Sequence, residues 1–216
     1  MCGLFAFVGT APDPALLQTI AREAGRRGPH ACGWAWADGA GIRCRTHPGP
    51  IIRQVADLTT VAGACIGHAR LATSGDWRIS ANNQPLRCGD IAIAHNGTVP
   101  EARALADQYD LHRQTACDSE VVGLLIARGT GSLLQRTLAA IAVLGPATPL
   151  ALLVLSPTQL VAVRRGQPIF AAPGPGGWYL CSRTFDGAVP LPDATAVSCA
   201  LDGTSEPECT ALEDAR

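Results

Sequence analysis

Strand-like and helix-like segments lie in separate blocks along this 216-residue chain, and this order restricts the folds it can adopt. Short apolar or alternating segments are typical of strands, whereas apolar residues spaced three and four apart indicate helices. The pattern predicts strands at 4–8, 33–37, 41–47, 64–72, 90–97, 150–156, 159–166 and 178–183, and helices at 13–25, 100–110, 118–129 and 132–145. Because the helices do not alternate with single strands, we predict an α+β fold. Two antiparallel sheets flanked by helices satisfy this order, although periodicity alone does not fix the topology.

Length and charge narrow the classes of protein further. We interpret residues 1–216 as a single domain with a loosely held tail from about residue 202, where the sequence becomes polar and mixed. The net charge of -1 provides no basic field for nucleic acid. No apolar run reaches the roughly 20 residues that span a bilayer, and the chain does not start with a secretory signal. We therefore expect a cytoplasmic protein with no membrane or nucleic-acid partner.

The nine cysteines do not form a recognisable framework. Their number is odd and no CxxC pair occurs, which argues against a disulfide scaffold and against the usual zinc spacing. We predict that most are small buried residues in a reducing compartment, and we expect no metal and no cofactor.

Cys2 differs from the other cysteines because it follows the initiator methionine and precedes the apolar segment 4–8. Methionine is removed when the next residue is small, and the new chain end then carries a thiol and an α-amine on one residue. Because a free α-amine has a pKa of about 7.7 to 8, it can accept the thiol proton near neutral pH. Cys2 is therefore a candidate nucleophile that carries its own base. The alternative is an incidental buried thiol at the start of a strand.

A second candidate feature is the Asn96–Gly97 pair at the end of the strand predicted at 90–97. An amide side chain and a glycine N–H group can both donate to a developing oxyanion, and glycine allows close approach. Asn-Gly is also a strong hairpin signal, so a simple turn is the alternative.

Three further side chains could hold a substrate. Arg70 and Thr73 lie where an otherwise apolar strand enters a glycine-containing loop, and an arginine can bind a carboxylate through two hydrogen bonds. Asp118 precedes a predicted helix, where it could cap the helix or bind an ammonium group. The alternatives are a solvated surface arginine and a helix cap. Taken together, a thiol, oxyanion donors, a carboxylate site and an ammonium site describe a pocket for glutamine.

At this level of detail the chain resembles the class II glutamine amidotransferases, which are N-terminal-nucleophile hydrolases. Seven segments carry the resemblance and span about residues 2 to 185. They are MCGLFAFVG at the start, RRGPHACGW at 26–34, IGHARLATSG at 66–75, NNQPL at 82–86, IAHNGTV at 93–99, DSE at 118–120 and WYLCSR at 178–183.

The resemblance implies a four-layer αββα sandwich of two antiparallel sheets. It also implies that Cys2, freed of Met1, attacks the glutamine carboxamide to form a γ-glutamyl thioester, and that Arg27 helps to order the nucleophile. Asn96 and the backbone of Gly97 would form the oxyanion hole. The resemblance assigns substrate binding to three residues: Arg70 for the α-carboxylate with Thr73 beside it, and Asp118 for the α-ammonium.

Three functions stay open from the sequence. The first is a glutaminase that supplies ammonia to a synthetase on a separate subunit, since no synthetase segment follows the matched region. The second is a stand-alone hydrolase of γ-glutamyl amides in small-molecule conjugates, and the third is a catalytically silent domain that binds an amino acid. The polar, glycine-containing segment 74–90 also suits a lid over the substrate.

Overall fold

The structure is a computed structural model that describes residues 1–38, 40–202 and 207–212. Its helices are α1 (Pro14–Gly25), α2 (Ala102–Gln108), α3 (Glu120–Arg128) and α4 (Leu133–Val143). Its strands are β1 (Gly3–Gly9), β2 (Ala31–Asp38), β3 (Gly41–Pro48), β4 (Cys65–Arg70), β5 (Leu86–Cys88), β6 (Ile91–Gly97), β7 (Leu150–Leu155), β8 (Gln159–Arg165), β9 (Phe170–Gly174), β10 (Gly177–Cys181), β11 (Val189–Pro190), β12 (Thr195–Ala200) and β13 (Glu208–Ala211). Short 3-10 helices occur at Ile51–Arg53, Val55–Thr60 and Ser80–Asn82.

The strands form two antiparallel sheets. The first has seven strands in the order β11-β9-β10-β1-β4-β2-β3, and the second has six in the order β13-β12-β8-β7-β6-β5. Neighbouring strands pair in antiparallel register throughout both sheets. The predicted α+β sandwich is therefore confirmed.

The alternation of side chains along the strands separates the core into three layers. In β1, Leu4, Ala6 and Val8 face the second sheet, whereas Phe5 and Phe7 face α1. This is the period of two expected of a strand that is buried on both faces. The outer face of the second sheet packs against α3 and α4 in the same way. The layers are thus helix, sheet, sheet and helix, as the resemblance implied.

Local signals define the helix ends. The Asp13 side chain accepts a hydrogen bond from the backbone N–H of Leu16 at 2.8 Å, so it caps α1. Ser132 and Gln135 form a reciprocal capping box at the start of α4. The longest helix in the described parts of the chain has 12 residues, and none of these helices is long and apolar enough to cross a membrane.

Several strands lie in segments where the sequence pattern indicated no strand. Some of them, such as β5 and β11, are short. Others, such as β12, pair with a strand that is distant in the sequence, which for β12 is β8. Within the predicted tail, Glu208–Ala211 form β13 and pair with β12. Residues 203–206 and 213–216 lie outside the described part of the structure, so the rest of that expectation stays a prediction.

Two central strands of the first sheet and one of the second bring the chain start next to the site residues. The first residue of β1, Gly3, pairs with Ala69 near the end of β4, and Arg70 follows directly. Asn96 and Gly97 end β6 in the facing sheet. Cys2 therefore lies at the end of the sandwich where β4 and β6 terminate.

Glycine is needed at position 3 because the backbone of α1 passes directly against the start of β1. A Cβ atom at position 3 would lie 2.0 Å from the carbonyl oxygen of Ala24, and a backbone atom cannot move aside as a flexible side chain can. We expect Gly3→Ala to destabilise the fold by about 1–3 kcal/mol, the usual cost of overpacking. Denaturant unfolding would measure this, with Gly129→Ala as a control at a glycine whose φ is -64° and whose nearest neighbour is the flexible side chain of Arg136 at 3.1 Å. An unchanged unfolding midpoint for Gly3→Ala would contradict the prediction.

Candidate active site

Cys2 joins the two sheets at the start of β1. Its backbone N–H donates to Oδ1 of Asn96 at 2.9 Å, which links the first sheet to the end of β6. Its Sγ atom lies 3.4 Å from the backbone N–H of Leu71, which points a donor at the sulfur. The thiol is thus held between the ends of β4 and β6.

Arg27 holds the backbone on the other side of Cys2. Its Nε–H group donates to the carbonyl oxygen of Cys2 at 2.8 Å, and Nη1 donates to the carbonyl oxygen of Ser182 at 3.3 Å. The Ser182 hydroxyl in turn accepts from the N–H of Leu4 at 2.8 Å. The start of β1 is therefore fixed by β10 and by the segment after α1. The ordering role that the resemblance assigns to Arg27 stays a prediction, and the contact it requires is present.

Asn96 and Gly97 are strand residues and do not form a hairpin turn. They pair with Ala151 and Leu150 of β7, so the turn alternative is excluded. The Asn96 side chain is buried, and its Nδ2 group donates to Oε1 of Gln167 at 3.0 Å. Sequence patterns could not predict this contact, because Gln167 lies 71 residues further along the chain.

Arg70 is a buried side chain with several protein acceptors. It is 3% exposed, which excludes a solvated surface arginine. Nη1 donates to Oδ1 of Asn83 at 2.7 Å, and Nη2 donates to the carbonyl oxygens of Ser74 and Gly75. These contacts use three of its five N–H groups. The segment 74–83 therefore wraps around the guanidinium.

Asp118 does not cap α3, so the cap alternative is wrong. That helix begins at Glu120, and its N-cap residue is Ser119. The Asp118 carboxylate instead accepts from the N–H of Val99 at 2.8 Å and from the hydroxyl of Ser74 at 3.0 Å. Ser74 therefore contacts both charged groups, since its hydroxyl donates to Asp118 and its carbonyl oxygen accepts from Arg70.

A cavity of about 490 Å³ opens over Cys2. Of the predicted site residues, Cys2, Thr73, Asn96 and Gly97 line it, whereas Arg70 and Asp118 lie behind the loop that carries Ser74. The remaining lining residues are Met1, Leu71, Thr98, Pro100, Ala147, Thr148, Pro149 and Gln167. Among the described residues, this lining includes no histidine, aspartate or glutamate.

The electrostatic surroundings keep the Cys2 thiol protonated at neutral pH. Burial raises the pKa of the thiol above its ordinary value of 9.0. The N–H group of Leu71, the amino group of Met1 and the guanidinium groups of Arg70 and Arg27 lower that pKa, but they offset the burial only in part. A reaction of this sulfur near pH 7 therefore requires a base to remove its proton.

The raised pKa predicts how Cys2 alkylation depends on pH in a chain that retains Met1. Because the thiolate is the reactive form, we expect iodoacetamide to modify Cys2 slowly at pH 7, where roughly 1% or less is ionised. The rate should increase with pH and continue to increase above pH 9. Peptide mass spectrometry would follow the modification, with the exposed Cys209 as an accessible thiol for comparison. A rate that levels off below pH 8 would contradict the prediction.

Two buried histidines near the site do not supply this base. His95 is on β6 with Nδ1 2.9 Å from the Ser119 hydroxyl, and burial lowers its pKa to about 4. His68 is on β4, and burial together with the nearby Arg70 charge lowers its pKa to about 3. Both imidazoles are neutral and weakly basic at pH 7, and neither lines the cavity.

The other cysteines and the acidic groups suggest no second reactive centre. All nine cysteines are free, and six of the eight besides Cys2 are buried. Burial raises the pKa of Cys32, Cys65 and Cys88 to about 12. Within the described residues, no group of three or more His, Cys, Asp or Glu side chains is placed to hold a metal ion.

Comparisons with known proteins agree with this fold. The chain is a homologue of the class II glutamine amidotransferases, and its sandwich has the N-terminal-nucleophile type of fold found in their domains. It is similar to glutamine–fructose-6-phosphate aminotransferase of Bacillus subtilis, with 30% identity over 127 residues that cover 56% of this chain and 21% of that protein. It is also 32% identical over 138 residues to amidophosphoribosyltransferase of B. subtilis, which covers 59% of this chain and 29% of that protein.

A solved structure agrees with these similarities in sequence. Glutamine phosphoribosylpyrophosphate amidotransferase from B. subtilis, complexed with ADP and GMP, matches with a TM-score of 0.80 and 25% identity. The match covers 98% of this chain and 49% of that one. The chain thus spans between about a fifth and a half of the length of these relatives. No protein-family model matches it.

Proposed function

We propose that the chain hydrolyses the side-chain amide of glutamine to glutamate and ammonia, with Cys2 as an N-terminal nucleophile. The observation that carries this proposal is the position of Cys2 in a cavity where, among the residues that the structure describes, the lining offers no side-chain base. Its thiol is held protonated, so the proton acceptor must come from elsewhere. Once Cys2 is the first residue, its own α-amine provides that acceptor, with a pKa of about 7.7 to 8.

The contact with Asn96 supports this use of the amine. The nitrogen of Cys2 donates to Oδ1 of Asn96 at 2.9 Å, and a free amine can keep this contact while its lone pair accepts the thiol proton. The sulfur then attacks the amide carbon of glutamine, and a C–S bond forms as the carbonyl oxygen becomes an oxyanion. Nδ2 of Asn96 and the N–H of Gly97 are the donors for that oxyanion.

Collapse of this intermediate breaks the C–N bond. The α-ammonium of Cys2 returns its proton to the departing nitrogen, which leaves as ammonia, and a γ-glutamyl thioester stays on the sulfur. A water molecule then gives a proton to the α-amine and attacks the thioester. Glutamate leaves and the thiol is restored, so atoms and protons balance over the cycle.

Substrate recognition in this proposal uses the two poles of the amino acid. The α-carboxylate binds Arg70 and the α-ammonium binds Asp118, with Thr73 at the cavity wall beside them. Ser74 already contacts both charged groups, through its hydroxyl at Asp118 and its carbonyl oxygen at Arg70. We expect glutamine to take over these contacts, so the segment 74–90, which carries Ser74, is the part of the chain proposed to move when substrate enters.

The ammonia released at Cys2 is proposed to pass to a synthetase on a separate subunit. The names of the two sequence relatives support an amino- or amido-group transfer. Weak glutaminase activity of this chain alone, rising on addition of the partner subunit, is the expected behaviour.

The proposed function is tested by measuring glutamate released from glutamine, with the chain verified by intact mass to begin at Cys2. We expect turnover by the processed chain and none by a Cys2→Ser variant with the same thermal stability. A γ-glutamyl p-nitroanilide substrate should also be cleaved slowly at Cys2. Much faster cleavage of such conjugates than of glutamine would instead support a stand-alone γ-glutamyl hydrolase. Binding of glutamine without any cleavage would support a silent domain.

A further inference from the structure

Gln167 holds the amide of Asn96 from the side opposite Cys2. It lies between β8 and β9, directly after Gly166, whose positive φ of 67° makes the turn. The N–H of Gly166 donates to Asp193 at 2.8 Å, which fixes this turn from outside. The side chain of Gln167 lines the cavity, and its Oε1 atom accepts from Nδ2 of Asn96 at 3.0 Å.

The two contacts of the Asn96 side chain determine which way its amide faces. Oδ1 must face the nitrogen of Cys2, because that nitrogen donates. Nδ2 then faces Gln167, whose Oε1 atom can only accept. Turning the amide by 180° would set two donors against each other at Cys2, and it would set two acceptors against each other at Gln167 unless the Gln167 amide turned with it. The pair of contacts therefore favours one orientation of the amide.

This orientation leaves one hydrogen of Nδ2 for the substrate. A carboxamide nitrogen carries two hydrogens, and Gln167 takes one of them. The second hydrogen remains for the oxyanion that forms when Cys2 attacks. If the acceptor of Gln167 were absent, only the contact to Cys2 would hold the amide, which could then rotate away from the oxyanion.

We propose that Gln167 is a positioning residue that holds Asn96 in the orientation needed to bind the oxyanion. The inference rests on the proposed attack of Cys2 on an amide, and it assigns Gln167 no contact with the reacting atoms. Preorganised donors stabilise a transition state because they need no reorientation during the reaction. Gln167 therefore acts on the rate of acylation rather than on the binding of substrate.

The test compares Gln167→Leu with Gln159→Leu, a half-buried glutamine at the far end of β8 that does not line the cavity. Loss of a whole oxyanion donor costs about 10²–10³ in kcat, so a misaligned donor should cost about 10- to 100-fold. We expect that fall for Gln167→Leu with KM changed less than about threefold, and no change for Gln159→Leu. Gln167→Ala is the second variant if the leucine variant has a lowered unfolding midpoint.

A second readout separates positioning of the amide from damage to the thiol. Alkylation of Cys2 by iodoacetamide displaces iodide at a saturated carbon and forms no oxyanion, so its rate should be the same in Gln167→Leu and wild type. Equal loss of alkylation and hydrolysis would show that the substitution disturbs Cys2 itself. Unchanged kcat in both Gln167 variants would also overturn the proposal.

A third readout does not depend on turnover. The side-chain amide signal of Asn96, assigned by its loss in Asn96→Asp, should show one proton protected from exchange in wild type and neither protected in Gln167→Leu. If wild type cleaves neither glutamine nor γ-glutamyl p-nitroanilide, the proposed function fails, while this comparison still decides the role of Gln167. Equal protection in the two proteins would refute the positioning role.

Discussion

A chain that keeps a residue attached to the nitrogen of Cys2 is expected to lose glutamine hydrolysis by about 10³-fold or more. An amide nitrogen has no basic lone pair, and a positioned general base contributes about 10²–10⁴ to a rate. Within the described part of the chain the cavity lining offers no carboxylate or imidazole in its place, and burial keeps the pKa of the thiol above 9. The blocked chain should therefore bind glutamine without cleaving it.

One polypeptide can serve as its own control. An extension that a specific protease removes directly before Cys2 allows activity to be measured before and after cleavage of the same sample. We expect glutamate release to appear only after cleavage, and a Cys2→Ser chain treated in the same way to stay inactive. If the extended and cleaved chains hydrolysed glutamine at equal rates, the α-amine could not be the base.

The second large effect is expected for Asn96→Ala, with kcat lowered by about 10²–10³ and KM nearly unchanged. The donor at Nδ2 stabilises charge that exists only in the transition state, so its loss should leave the binding of glutamine largely intact. Asn96 is also buried and bonded to the nitrogen of Cys2, so this variant alters two contacts at once.

Asn96→Asp separates those two contacts. The aspartate keeps an oxygen that can accept from the nitrogen of Cys2, but it has no N–H group to donate to an oxyanion. We expect a loss of kcat at least as large as that of Asn96→Ala, together with a lowered unfolding midpoint, because the carboxylate is buried beside Oε1 of Gln167. Both variants are therefore assayed at a temperature where they are folded. An aspartate variant with near-normal kcat would show that the oxyanion is stabilised elsewhere.

Local patterns in the sequence were enough to predict most of the fold, because each helix and each longer strand carries an apolar pattern in its own residues. The apolar run from Leu4 to Val8 predicted a short buried strand, and Asp13 is followed by the helix it caps. The short edge strands lack such a signal. A strand of two or three residues, such as β11, is defined by its partner rather than by its own pattern.

The residues of the candidate site likewise fall into those that the sequence could predict and those that it could not. Cys2 and Asn96 could be placed together from their motifs, and the structure brings them within hydrogen-bond distance. The preference of aspartate for helix starts made Asp118 ambiguous, and only the geometry excludes the cap. The contacts of Ser74 and Gln167 could not be predicted, since they join segments 44 and 71 residues apart and follow no periodicity.

Because Ser74 contacts both Arg70 and Asp118, the affinity for a substrate depends on the difference between the contacts that the substrate makes and those that Ser74 already makes. In the proposed binding mode, an amino acid gains only what its charged ends contribute beyond the serine hydroxyl and carbonyl contacts that they displace. A compound with one charged end, such as an amide acid without an amino group, can displace Ser74 from only one of the two charged side chains. Ser74 would then keep its contact with the other charged group. We therefore expect a compound with one charged end to bind more weakly than an amino acid with two.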